Sequence, residues 1–185
     1  MHRKIAGAML VVALVASLAA LSGCAMLRAR AGEPAGTPKV DPTPPADRTV
    51  KLTLYFADAQ AMNLVPELRE VPQGNASLAD LVIQELIKGP STPGLGITIP
   101  REARLASSVR VEKGVAFVNF NREFQTKHWG GSAGELMTVY SVVNSLTELE
   151  GIQAVVFLVE GERLETLGHL DLTRPVDRSE NMVSK

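Results

Sequence analysis

The sequence predicts an α+β fold, a single compact domain in which two helices pack on one mixed sheet of about five strands. Three observations carry this expectation. Val50 to Phe56 alternates apolar and polar residues, the signature of a half-buried strand. Two segments, Ser77 to Lys88 and Ser132 to Leu149, repeat apolar residues at helical spacing. Ala154 to Val159 is an unbroken apolar run, as expected of a strand buried on both faces. The resulting order, β-β-α-β-β-α-β, does not alternate strictly, so helices on one face of a mixed sheet fit better than a doubly wound parallel sheet.

Each element has a local reason. Leu64 to Val71 reads as a second strand, and Pro66 within it favours an edge position because proline has no N–H to give a ladder. Ser77 caps the first helix, Asp80 stands at the capping-box position, and Leu78, Leu81, Val82 and Leu86 form its apolar face. Gly89-Pro90 ends it. Ser91 to Arg104 holds Pro93, Gly94, Gly96 and Pro100 and reads as a long loop. Val109–Glu112 and Val115–Phe120 form a hairpin around Lys113-Gly114. The second helix carries Leu136, Val139, Tyr140, Val143 and Leu146 as its stripe. Gln153 to Glu160 is the last long strand, and Glu162 to Leu172 adds a short hairpin return. The domain is expected over residues 50–172, with a loose polar tail at 173–185.

The segment before the domain reads as an export and anchoring device. His2, Arg3 and Lys4 precede a run of apolar and small residues that ends in Leu21-Ser22-Gly23-Cys24. A basic start, an apolar core and small residues before a cut site make a secretory signal, assigned to residues 1–23. An ordinary membrane-spanning helix gives no reason for a cysteine at that point, and Cys24 is the only cysteine of the 185 residues. Cys24 is therefore expected to carry a diacylglyceryl group, whose two chains anchor where one would hold only marginally. The protein is expected on the extracytoplasmic face of a bacterial cell membrane. Residues 24–49 supply the lipidated cysteine and a linker with Pro34, Pro38, Pro42, Pro44 and Pro45, a semi-extended spacer. Without Arg3 and Lys4, 17 basic residues face 20 acidic ones, a net charge of −3, with no basic stripe, so no nucleic-acid partner is expected. A modified Cys24 leaves no thiol for a disulfide, thiol catalysis or a cysteine–zinc site.

The constellations that carry chemistry are sparse. Gly130-Gly131-Ser132-Ala133-Gly134 matches G-x-S-x-G, and His169 follows it, but no aspartate lies between Ser132 and His169. The simpler reading is that Ser132 caps the second helix and Glu135 completes a capping box. His128 and Trp129, in the loop before that helix, are the expected interaction surface: they would line a groove for a glycan or peptide, or else close the edge of the core. Two histidines some forty residues apart make no metal site, Gly94-Leu95-Gly96 lacks phosphate-loop spacing, and H-E-x-x-H is absent. No cofactor, metal or catalytic residue is expected. The Leu64–Val71 edge and the exposed hairpin are places where another strand or subunit could pair.

Several segments together resemble the GerMN domain of sporulation and spore germination proteins. They are Leu52 to Asp58, Leu64-Val65-Pro66-Glu67 with Arg69-Glu70-Val71, Glu85 to Pro90, Ile99-Pro100, Val115 to Phe124, Gly131 to Glu135, Val155 to Gly161, and Leu167 to Pro175. The resemblance spans about residues 48–176. It implies an α+β fold similar to the ring-building modules of secretion and sporulation machines, and no known catalytic residues. It further implies envelope proteins or a second copy as partners, in assembly of a sporulation, germination or other envelope complex. The family's namesake carries two such domains, whereas this chain has room for one. A cell-wall binder using Trp129 and the Pro93–Pro100 loop is the alternative, with peptidoglycan as partner. A serine hydrolase using Ser132 and His169 is a third.

Overall fold

β1 (Thr49–Ala57) and β2 (Leu64–Pro72) open the fold as an antiparallel pair, with Thr49 opposite Pro72 and Ala57 opposite Leu64. The computed structural model describes residues 48–184 of the chain. The signal at 1–23, Cys24 and the linker to residue 47 lie outside the described residues. Leu52, Leu54 and Phe56 alternate into the core, as the pattern predicts. The chain reverses at residues 58–63, where the Asp58 carboxylate accepts the N–H groups of Gln60, Met62 and Asn63.

α1 (Leu78–Lys88) follows, capped by Ser77 Oγ, which accepts the Asp80 N–H at 3.0 Å. Asp80 does not return a bond to the cap; its carboxylate accepts the Val109 N–H at 2.7 Å instead. Gly89 ends the helix at φ 86°, its N–H donating to Leu86 O. β3 (Arg110–Glu112) and β4 (Val115–Phe120) form the expected hairpin, and Lys113 and Gly114 both turn at positive φ, 50° and 83°. That doubly positive turn matches the twist of its strands. α2 (Glu123–Thr126) is an unexpected third helix, too short for any period to show in the sequence. α3 (Ser132–Leu146) then carries the chain over to β5 (Ala154–Val159), parallel to β4. A parallel pair needs such a crossover. Four two-residue strands complete the set: β6 (Glu162–Arg163), β7 (Thr166–Leu167), β8 (Leu170–Asp171) and β9 (Val176–Asp177).

The fold is α+β, but the strands do not join in one sheet as predicted. β3, β4, β5 and β6 form a mixed sheet with β9 on the free part of β5, while β1–β2 and β7–β8 stand as separate pairs. The reason lies on the edge of β1 opposite β2. There Tyr55 gives its N–H to Ser145 Oγ (2.9 Å), and its carbonyl accepts from Ser141 Oγ (2.6 Å). Ala57 O accepts the Gly96 N–H from the long loop at 2.8 Å. A helix side and a loop thus take the bonds that another strand would use.

The main core joins β1, α1, β4, α3 and β5 around Phe56, Ile83, Phe120, Phe124, Val143 and Phe157. α3 packs on β1 and reaches α1 and β5. Its stripe is wider than the sequence predicts. Thr138, Ser141, Asn144 and Ser145 are fully buried with Val139, Val142, Val143 and Leu146, each with a hydrogen-bond partner. Among the described residues no buried side-chain nitrogen or oxygen lacks one.

The expected loose tail is docked. Val176 pairs with Val155, the Ser179 N–H donates to Asn144 Oδ1, and the Ser184 N–H donates to Leu64 O at 2.9 Å. Met182 and Val183 cover a second, smaller cluster of Tyr55, Ala57, Leu64 and Met137. Arg178 fixes the segment: it donates to Tyr55 Oη (2.8 Å) and Asn144 O (2.9 Å), and it pairs with Glu148 (2.9 Å) and Glu180 (2.5 Å). The domain therefore runs past residue 172 to at least Ser184. Polar composition suggested a loose tail, but these polar groups are spent on specific partners.

Candidate functional site

The loop holding His128 and Trp129 is anchored from both sides. Below it, Phe124 of α2 is buried and stacks on Phe120 with ring centres 4.0 Å apart. Above it begins α3. His128 stacks on Trp129 at 4.9 Å, with 19° between the planes. The Gly130 N–H donates to His128 Nδ1 at 3.0 Å, while Nε2 lies 2.9 Å from Thr138 Oγ1. Thr138 Oγ1 itself faces two acceptors, the carbonyls of Thr98 (2.5 Å) and Gly134 (2.9 Å), so it receives a proton from the imidazole. This fixes a neutral Nε2–H tautomer. Burial pushes the His128 pKa below its ordinary value, against the opposing pull of the Glu135 carboxylate. Trp129 is 48 % exposed, and its indole edge rests on Gly134, where a Cβ would meet Nε1 at 2.6 Å. The predicted pair thus forms a prearranged aromatic platform, half open to solvent.

Ser132 does not hold the role given to it by the sequence. It is the first residue of α3, exposed, and the cap position is Gly131, with no side-chain cap bond. Glu135 makes no capping box either. Its carboxylate is turned to the β7–β8 turn, where Oε2 accepts the His169 N–H at 2.9 Å and Oε1 lies 3.5 Å from His169 Nδ1. Both histidines are engaged away from Ser132: His128 with Thr138 and Gly130, His169 with Glu135. The geometry assembles no nucleophile–base pair at the G-x-S-x-G segment.

A second feature was not legible as a site in the sequence. A groove of about 550 Å³ runs between the last turn of α1 and the segment after Pro100, lined by Gln84, Ile87, Lys88, Arg101, Arg104 and Leu105. Two arginines three residues apart, after a proline-rich loop, were the available signal. Their meeting with the end of α1 was not readable, because it depends on how the loop returns to the helix. The position of that helix end is set by a buried ion network. Arg69 of β2 contacts Glu67, Glu85 Oε2 (3.0 Å) and Gly89 O (3.0 Å). Glu67 accepts the N–H groups of Ser91 (2.9 Å) and Thr92 (2.7 Å). Burial pushes the Glu67 carboxyl up, but the bonds from Arg69 and Thr92 prevail and hold it below the ordinary range.

The predicted edge strand is only partly open. Along β2, Asn63 O and the Gln73 N–H face β1, so alternate residues Leu64, Pro66, Leu68, Glu70 and Pro72 turn their backbone groups outward. Two of those five are prolines without an N–H, and Leu64 O is taken by Ser184. Only Leu68 and Glu70 still offer both an N–H and a carbonyl, and Leu68 is 80 % exposed. The edge is blunted by sequence.

A family model described as Germane, sporulation and spore germination, matches residues 53–165. The chain belongs to this family. Its fold is also that of solved GerMN domains. It is similar to the first GerMN domain of the sporulation protein GerM from Bacillus subtilis, with a TM-score of 0.60 and 23% identity over 70% of this chain and 98% of that one. Against the tandem GerMN domains of the same protein the TM-score is 0.61 at 22% identity, over 70% of this chain and 46% of that one. The chain thus spans about half the length of the tandem structure. A Clostridium perfringens protein solved as a candidate lipoprotein matches with a TM-score of 0.51 at 26% identity, over 70% of this chain and 87% of that one. No curated protein matches the chain. The GerMN resemblance read from the sequence is thereby borne out, and the matched span lies within the one predicted.

Proposed function

We propose that this Germane-family protein is a non-enzymatic, lipid-anchored interaction module of the bacterial envelope that assists assembly of a sporulation, germination or other envelope complex. The family match over residues 53–165 carries the reading. The Leu21-Ser22-Gly23-Cys24 sequence supports attachment through Cys24 on the extracytoplasmic face of the membrane. The His128 imidazole, held between Thr138 Oγ1 and the Gly130 N–H, supports a role without catalysis. The test has two parts. An alkyne fatty acid fed to cells should label the chain and fail to label Cys24→Ser. In-cell cross-linking of the anchored chain should join it to envelope proteins. A chain that takes no lipid and cross-links to nothing overturns the proposal.

The exposed Trp129 platform favours a second reading, a cell-wall glycan or peptide binder. Stacking of a sugar on an exposed indole needs a rigid ring, and His128 supplies the backing. Retention on purified peptidoglycan that is lost in Trp129→Ala supports it; no retention removes it.

A further inference from the structure

We infer that the groove between α1 and the 101–105 segment docks an acidic segment of a partner protein that carries a large apolar side chain. The inference rests on the reading of the chain as an interaction module and assigns the surface and the chemistry of the partner. The floor of the groove is apolar, formed by the half-buried Ile87 and Leu105. Its walls carry Lys88, Arg101 and Arg104, and no carboxylate lines it. Glu102 stands between the arginines but is exposed and outside the lining. Glu85 pairs with Lys88, yet Glu85 is buried and shared with Arg69, which in turn serves Glu67. That set of four balances itself, so Arg101 and Arg104 set the net charge of the groove.

One of the two arginines is also held in place. Arg104 Nη1 donates to the carbonyls of Arg101 and Ala103, both at 2.5 Å, which fixes its guanidinium at the wall. Arg101 has no ion-pair partner among the described residues, so it can offer both prongs to a carboxylate. The preset Arg104 loses less freedom on binding than a mobile side chain would. A flat anionic membrane would meet the cations and leave the apolar floor uncovered. A polypeptide with one apolar side chain between acids covers both, and a groove of about 550 Å³ accommodates that much chain. The positive groove on a chain with net charge −1 would orient such a partner on approach.

The test selects a random dodecapeptide library on the full chain held in mild detergent. The enriched peptides should combine Asp and Glu with Leu or Phe. A synthetic consensus peptide should bind at least tenfold more weakly to Arg101→Glu and to Leu105→Glu, more weakly at high salt, and unchanged to Trp129→Ala. Arg101→Glu leaves every hydrogen bond of the Arg101 backbone in place, and circular dichroism checks its fold. No enrichment, peptides without acids, or binding indifferent to Arg101→Glu overturns the inference. Binding that Arg101→Glu abolishes on phosphatidylglycerol vesicles but not on any peptide also overturns it, in favour of a lipid surface. A photo-cross-linker placed at Gln84 separates the two levels. Envelope cross-links from other positions but none from Gln84 sink the groove and leave the module standing, while none from anywhere sinks the module.

Discussion

The backbone N–H of Tyr55 donates to the hydroxyl of Ser145 across 2.9 Å, with both groups buried. Ser141, one helical turn earlier, gives its hydroxyl proton to the Tyr55 carbonyl, so a helix completes one residue of a strand. Removing Ser145 Oγ strands a buried donor, which costs about 1–3 kcal/mol. Ser145→Ala should lower the urea midpoint accordingly, with little change in slope. Ser145→Val should cost more, since its larger apolar side chain cannot accept the bond. A Ser145→Ala variant as stable as the parent would mean that the strand edge finds another acceptor.

Arg178 joins the tail to β1 through Tyr55 and to the end of α3 and its following turn through Asn144 and Glu148. Its guanidinium also lies 5.2 Å from the Tyr55 ring centre. Arg178→Met keeps the length and loses the charge and the donors. Hydrogen exchange should then accelerate across residues 176–184 first, and global stability should fall by about 1–3 kcal/mol. The exchange pattern distinguishes a docked tail from a passive one, because a passive tail would exchange quickly in the parent as well.

Glu67 gives an acid-sensitive contribution. Its folded carboxyl is held below the ordinary value of 4.5, so the stabilisation is present above that value and is lost as the pH falls through the lower folded value. Glu67→Gln should be about 1–3 kcal/mol less stable than the parent at neutral pH, because Ser91, Thr92 and Arg69 lose a charged acceptor. The gap should shrink at acid pH. Unfolding followed from pH 7 to 3 measures it, and a gap constant over that range would refute the assignment.

The chain has one tryptophan, so its fluorescence reports on the Trp129 loop alone. Gly134→Ala places a Cβ 2.6 Å from the indole Nε1 and should push the ring outward, shifting its emission to the red. His128 bears on the same loop through pH. Burial lowers its folded pKa below 6.5, so stability declines as the pH falls from the unfolded value toward the folded one, where charging of the ring also breaks the Gly130 bond. A red shift on acidification that is absent in His128→Asn is the expected result.

Much of the fold was legible because strands and helices write their periods locally. β1, α1, the Lys113-Gly114 hairpin and β5 need only neighbours within a few residues to be recognised. The unread part is long-range. Arg178 and Tyr55 meet across 123 residues, and nothing in a polar segment near the end of the chain reports such a partner. The polar side of α3 misleads for the same reason: Ser141 and Ser145 look solvent-facing until β1 is placed against them. Ser132 has the sequence context of a cap, but Gly131 takes that position, and the Glu135 carboxylate serves the backbone of His169. The His128–Trp129 pair stands out by residue type alone, while the groove at Arg101 and Arg104 needs the third dimension.

The lacing of β1 on both edges has a mechanical consequence. Nine register pairs hold β1 to β2, and Ser141, Ser145 and Gly96 hold its other side. Tension reaching the domain through residue 48 enters this strand at Thr49. Ladder bonds lie across the strand direction, so a pull along β1 shears all rungs at once instead of peeling them one by one. The strand that follows residue 48 thus meets a pull along its axis with both of its edges bonded.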